Sequence, residues 1–163
     1  MPVNAFINLY DKGDGESVQK GHEKQIEIQG WDWQVDAETT WTKGGGASVG
    51  KPSPGKMSFQ HYFDPAANAI MRSLMTGAAF PKVTLYMLKT TGKGSPETYF
   101  TMDMTGCFIT HAAIAGTEEG NVTQKVSMVF KTVKIDYKPQ NQKDGTLLGS
   151  NILTWDIPAG TAA

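Results

Sequence analysis

Apolar and polar residues alternate along most of this chain, and in one place only the period changes. Met57, Phe59, His61 and Phe63 alternate with Ser58, Gln60 and Tyr62, which is strand spacing. From Asp64 the period becomes helical. Asp64 carries a side-chain oxygen suited to an N-cap, and Pro65 stands at the first helical position, where its missing N–H costs nothing. Ala67, Ile70, Met71, Leu74 and Met75 fall at i, i+3, i+4, i+7 and i+8, an apolar stripe, and Gly77 is placed to end the helix in a left-handed conformation. One amphipathic helix in a chain of strands must pack on a sheet or on the mouth of a barrel.

The remaining elements have period two. Val3, Ala5, Ile7 and Leu9 mark a first strand, followed by a polar turn region from Asp11 to Gly21. In the second strand, Gln25 to Val35, Ile26 and Ile28 are one residue out of phase with Trp31, Trp33 and Val35. A slip of one residue would turn the tryptophans to the other face, so a bulge is expected at or near Gly30. Residues 36–55 have no period. Gly44 to Lys56 holds five of the 18 glycines and two of the eight prolines, and a long loop of this kind is expected to be functional. Strands then begin at Val83, with a hairpin turn over Thr90 to Pro96, and at Tyr99, with an interruption at Thr105-Gly106. A turn spans Gly116 to Gly120. A long strand from Asn121 to Tyr137 changes phase midway, and Leu153, Trp155 and Ile157 close the chain. The sum is seven or eight strands and one helix. Phe6, Tyr10, Tyr86, Leu88 and Val129 lie on nominally polar faces, which predicts a small closed or split barrel with part of its outside covered by a partner.

Composition narrows the function. The 163 residues are expected to form a single domain, 1–163. Fifteen basic and 16 acidic residues, with Arg72 the one arginine, disfavour nucleic-acid binding. Cys107 is alone, so no internal disulfide is available. The first residues lack a charged-then-apolar signal pattern, and no apolar run reaches membrane-spanning length.

Candidate chemistry is sparse. Gly45 to Pro52 has the G-x-x-x-x-G-K frame of a phosphate loop. Pro52 stands where a metal-binding hydroxyl belongs, and prolines follow where a helix should start. His22, His61 and His111 have no metal-ligand spacing, and His61 is expected as a satisfied sheet histidine. Cys107 is expected as a packed thiol, and Asp103 as a hydrogen-bonded strand residue. Trp31, Trp33 and Trp155 suit core packing, whereas Trp41, in the long loop, suits a contact surface. No catalytic, metal or cofactor constellation emerges, so the protein is not expected to be an enzyme or to carry a cofactor.

Three stretches together resemble the hemolysin-coregulated protein family, Hcp, the inner-tube proteins of the bacterial type VI secretion system. They are GESVQKGHEKQIEIQGWDW, FQHYFDPAANAIMRSLMTG, and NVTQKVSMVFKTVKIDYKPQ with a later TWDI. Their order, spacing and total length agree with the family over nearly the whole chain. The resemblance implies a mainly β fold, a compact β-barrel of two sheets with one α-helix, assembled as a six-membered ring. It implies stacked rings, sheath and spike proteins as partners, and effector proteins carried in the lumen. It also implies export from the cytoplasm without a cleaved signal peptide, no nucleic acid and no membrane insertion. Asp32 and Gln34 share the polar side of the second strand, opposite the tryptophans. With the helix outside, as the resemblance has it, these two residues are expected to face the lumen. The long loop, with Trp41, Gly44, Gly45, Gly46, Ser48 and Lys51, is expected to make ring-to-ring contacts. A free ligand-binding β-barrel, with the tryptophans lining an apolar pocket, is the alternative function.

Overall fold

A computed structural model describes residues 4–42, 45–91 and 94–163; the side chains of residues 40–42 and 47 are outside this description. Eleven strands and one α-helix are present among the described residues, more strands than the sequence pattern separates. They are β1 (Ala5–Asn8), β2 (Ile26–Asp32), β3 (Val35–Thr42), β4 (Gly46–Pro54), β5 (Met57–Tyr62), α1 (Pro65–Thr76), β6 (Phe80–Thr90), β7 (Pro96–Gly116), β8 (Val122–Val129), β9 (Thr132–Tyr137), β10 (Asn151–Asp156) and β11 (Thr161–Ala162).

Six strands close on themselves in the order β7-β6-β1-β2-β5-β8, and β8 returns to β7. The barrel is filled by apolar side chains, among them Ile7, Ile26, Leu85, Met102, Met104 and Met128, all fully buried. From β7 the sheet also continues outward through β9, β10 and β11 as a side extension. One strand serves both parts. β7 pairs with β9 from Phe100 to Thr105 and with β8 from Phe108 to Gly116. The changeover falls at Gly106, where φ is +61° and an added Cβ would lie 2.9 Å from the Lys131 side chain. The glycine is required there both by conformation and by space. The expected interruption at Thr105-Gly106 is therefore a corner within one continuous strand. The phase change in the following segment is the break between β8 and β9 at Phe130-Lys131.

The bulge expected near Gly30 is present, as a register shift between Ile28 and Gly30 on the β5 side. It lets Ile26, Ile28, Trp31 and Trp33 all turn inward. Trp31 stacks on Phe100 at 5.4 Å, and Trp33 packs against Phe130 at 5.4 Å and Trp155 at 6.3 Å. These contacts seal the joint between barrel and extension. Each indole also has a partner: Met87 sulfur at 3.2 Å for Trp31 and the Gly55 carbonyl at 3.2 Å for Trp33.

The helix has the expected caps. Asp64 Oδ1 accepts from the Ala67 N–H at 3.0 Å, and Gly77 is left-handed at φ +74°. Its buried face differs from the expected stripe. Ala66, Ala67, Ile70 and Ser73 are buried, Leu74 and Met71 are half-buried, and Met75 is 76% exposed. Small residues let the helix approach the body closely, so the contact line is displaced from the line of largest side chains.

Part of the two-faced apolar pattern is satisfied within the chain rather than by a partner. The segment from Tyr10 to Gln25 folds over the outside of β1 and β6. His22 is buried and stacks on Phe6, with centroids 5.0 Å apart and planes 7° apart, and it meets Tyr86 at 4.9 Å. Its Nδ1 lies 2.9 Å from Gln25 Oε1. Phe6 is thereby buried; Leu88 is also buried, whereas Val129 stays 38% exposed.

The described residues of the segment 36–55 are not an irregular loop. β3 and β4 form a separate two-stranded ribbon, in register from Val35↔Pro54 to Thr42↔Gly46 with a shift between Ala37 and Thr39. Its described side chains are exposed almost throughout, which is why no alternation marks it. Among the described residues, the ribbon's sheet pairing is entirely internal. A lone hairpin is at best marginally stable in water, so a ribbon of this kind gains from an outside surface.

Candidate functional surfaces

The outward faces of β2, β5, β8 and β7 make one polar surface. Cross-strand register places Asp32 beside Ser58, Ser58 beside Ser127, and Ser127 beside His111. The next row runs Gly30, Gln60, Lys125 and Ala113. Ser58 and Ser127 join through their hydroxyls at 2.8 Å. Asp32, Lys125 and His111 are exposed above them. The rows border a shallow groove of about 560 Å³ whose lining includes Asp32, Ser58, Gln60, His111, Lys125 and Ser127. The surface thus carries one carboxylate, Asp32, with Lys125 and His111, around small hydroxyl side chains. Such a face can hydrogen-bond a passing polypeptide without gripping one shape.

The two residues expected on this face part company. Asp32 lies on it, paired with Ser58. Gln34 is in the short link between β2 and β3, where its carbonyl accepts from the Gly55 N–H at 2.8 Å and its side-chain amide donates to Asp36 Oδ2 at 3.4 Å. It belongs to the root of the ribbon. Of the residues assigned to the long loop, Gly44 and the side chain of Trp41 lie outside the described residues. Gly45 is in the turn, and Gly46, Ser48 and Lys51 are exposed on β4. Lys125 and His111 went unassigned; alternation with buried Gln124 and Val126 marks Lys125 as outward, whereas His111 follows a bulge between Ile109 and His111.

The other candidate groups are structural. His61 is fully buried, and its Nε2 lies 2.7 Å from Gln124 Oε1. Gln124 Nε2 donates to the Ala67 carbonyl at 3.2 Å, which orients the amide and makes His61 Nε2 the donor. Asp64 Oδ2 is 3.6 Å from His61 Nδ1. The cluster ties β5 and β8 to the start of the helix. Cys107 is buried, and desolvation pushes its thiol up to about 12, so it stays protonated and poorly nucleophilic at neutral pH. Asp103 accepts from Thr84 Oγ1 at 2.8 Å, and Thr84 also meets the Tyr10 hydroxyl at 2.7 Å. Among the described residues, no three His, Cys, Asp or Glu side chains are grouped to hold a metal, and no helix is long and apolar enough to cross a membrane.

The described fold is a small filled barrel with a side sheet, an exposed ribbon and a broad polar sheet face. The family model described as "Type VI secretion system effector, Hcp" matches residues 6–137, and the chain belongs to this family. It is 29% identical to "Protein hcp1" of Pseudomonas aeruginosa over 159 residues, 96% of each chain. A solved type six secretion system protein superposes with a TM-score of 0.89 at 22% identity, covering 99% of both chains. Hcp1 from Salmonella typhimurium superposes with a TM-score of 0.81 at 25% identity over the whole of both chains. A type VI secretion system effector from Yersinia pestis gives 0.74 at 23% identity, over 94% of this chain and 99% of that one.

Proposed function

We propose that this chain is a tube subunit of a type VI secretion system, that six copies close into a ring, and that the polar sheet face carrying Asp32 lines the lumen and holds effector proteins. Sheath and spike proteins are then its partners in the secretion apparatus, and the subunit leaves the cell with the tube. Membership of the Hcp family carries the reading. The unfinished outer surface supports it: Leu153 and Tyr137 on the inward phase of the extension sheet are 46% and 43% exposed, as befits side chains awaiting a neighbour. Native mass measurement tests it. Six copies of 17.7 kDa give a particle of about 106 kDa, and a monomeric mass at micromolar concentration would rule the ring out. In that particle, Asp32→Cys is expected to resist a maleimide on a polymer too large for the lumen while accepting a small maleimide; equal labelling by both would place Asp32 outside.

The exposed ribbon is the proposed stacking element between rings. Its described side chains are exposed almost throughout and its strands pair only with each other among the described residues, so a neighbouring ring would supply the surface it lacks. Replacing residues 44–53 with a short glycine-serine linker is expected to leave single rings intact and to abolish tubes in electron micrographs. Tubes as frequent as those of the parent would remove the ribbon from the stacking contact.

A further inference from the structure

The groove on the polar face is unevenly charged. Asp32, Lys125 and His111 all line it, and all three are exposed. Asp32 stands at one side, on β2, while Lys125 and His111 stand at the other, on β8 and β7. Ser58, Gln60 and Ser127 lie between them and carry no charge. Among the described residues, none of the three side chains makes a hydrogen bond or an ion pair within the chain. His111 reaches this face by a local distortion. Ile109 turns inward beside Met128, so strict alternation would turn residue 111 inward as well. The register shift between Ile109 and His111 inserts one residue, sets His111 beside Ser127, and returns Ala112 beside buried Val126. Thr110 Oγ1 donates to the Ser127 carbonyl at 3.2 Å and pins the bulge. Bulges of this kind re-aim a side chain, here toward the groove.

Register sets the distance between the two bases. His111 lies beside Ser127 and Ala113 beside Lys125, so His111 and Lys125 are diagonal neighbours on adjacent antiparallel strands. Diagonal neighbours lie about 7–8 Å apart, near enough for one carboxylate to bridge their long side chains. Asp32 is two strands from Lys125 and three from His111, roughly 10 Å and 14 Å at about 4.8 Å per strand, too far to pair with either.

We infer that this groove takes an acidic segment of a cargo polypeptide, with a glutamate or aspartate side chain bridging Lys125 and His111, and that the grip tightens when His111 is protonated. A neutral imidazole has one N–H to donate and no charge, whereas a protonated one donates from both nitrogens and is cationic. Imidazole is the side chain whose charge ordinarily changes between about pH 5 and 8, a range in which cargo carboxylates stay ionised. Binding of the acidic segment therefore takes up a proton, and affinity rises as pH falls. The titratable and charged groups about His111 are Lys125 on β8, Asp32 on β2 and Tyr62 further along β5. The helix that packs on β7 has Arg72 as its one charged side chain, and Glu118 and Glu119 sit in the turn past the Gly116↔Val122 pair. In the empty groove Lys125 opposes a second positive charge on His111, and a bound carboxylate removes that opposition. The inference rests on the lumen reading above for the identity of the ligand; the groove itself lies within one chain.

The test uses the parent protein and a rhodamine-labelled peptide of alternating glutamate and serine, titrated by fluorescence anisotropy at low salt at about pH 5.5 and about pH 8. The peptide is expected to bind about two- to fivefold tighter at the lower pH, the range of an exposed ion pair. His111→Gln is expected to bind it equally at both, Lys125→Gln to bind it more weakly at both, and Asp32→Asn to bind it at least as tightly as the parent. A lysine-serine peptide should show the opposite trend with pH in the parent. Equal affinity for the glutamate peptide at both pH values, or a pH response that survives His111→Gln, overturns the inference. Native mass in the same buffers keeps the two readings apart. A hexamer with a flat response overturns the groove's chemistry alone, whereas a monomer with the expected response upholds the groove and overturns the ring and its lumen.

Discussion

Ile70→Asp is expected to abolish the folded protein. Ile70 is fully buried on the helix face that meets the body. A carboxylate there has no lysine or arginine to pair with, since none is buried among the described residues. Burying it unpaired costs several kcal/mol, and a domain has only about 5–15 kcal/mol to lose. The measurement is soluble yield with a far-ultraviolet spectrum. Leu74→Asp, at a half-buried position, is expected to be milder and to retain some folded material. If Ile70→Asp gave normal soluble protein, the helix would be packed by another face. Ile70→Val, which removes one methylene, should cost only about 0.5–1.5 kcal/mol.

The second large effect is expected at Gln124. This side chain is fully buried and serves two elements at once, as acceptor for His61 Nε2 and donor to the Ala67 carbonyl. Gln124→Met keeps most of the volume but leaves the buried His61 Nε2–H without its acceptor and takes the side-chain donor from the Ala67 carbonyl. Each such loss costs about 1–3 kcal/mol, so a loss of roughly 2–6 kcal/mol is expected. Gln124→Ala adds a cavity and should lose more. Urea unfolding of the two variants separates the terms. If Gln124→Met matched the parent, the network would contribute little, and packing alone would hold β8 to the helix.

The parts of the fold legible in the sequence are those set by neighbouring residues. The caps at Asp64, Pro65 and Gly77 act within one turn, so they appear in the sequence as they do in the structure. The bulge beside Gly30 is legible because the tryptophans force a change of phase within a few residues. The helix face is less so. Side-chain size favours Met71 and Met75, but distance to the sheet favours Ala66, Ala67 and Ser73, and that distance is a tertiary quantity. The ribbon is invisible to periodicity because neither side of it is buried; backbone pairing makes it a strand pair, and side chains do not record that. The polar surface was half legible. Asp32 could be placed by its tryptophan neighbours, but its row with Ser58, Ser127 and His111 joins four strands far apart in sequence. Covering of Phe6 by His22 was also beyond local pattern, since it depends on where the segment from Tyr10 to Gln25 folds back.

The continuity of β7 through Gly106 has a mechanical consequence. The barrel and its side sheet are joined by an unbroken backbone of 21 residues, hydrogen-bonded to β6, β9 and β8 in turn. Tension applied along the side sheet enters the barrel through that backbone. Ladder bonds lie across the strand, so such a pull loads many of them together in shear instead of peeling them one after another from an end. A flexible linker at the corner would instead act as a hinge and let the two parts swing apart. With a single glycine there, packed against Lys131, the subunit takes force as one stiff piece.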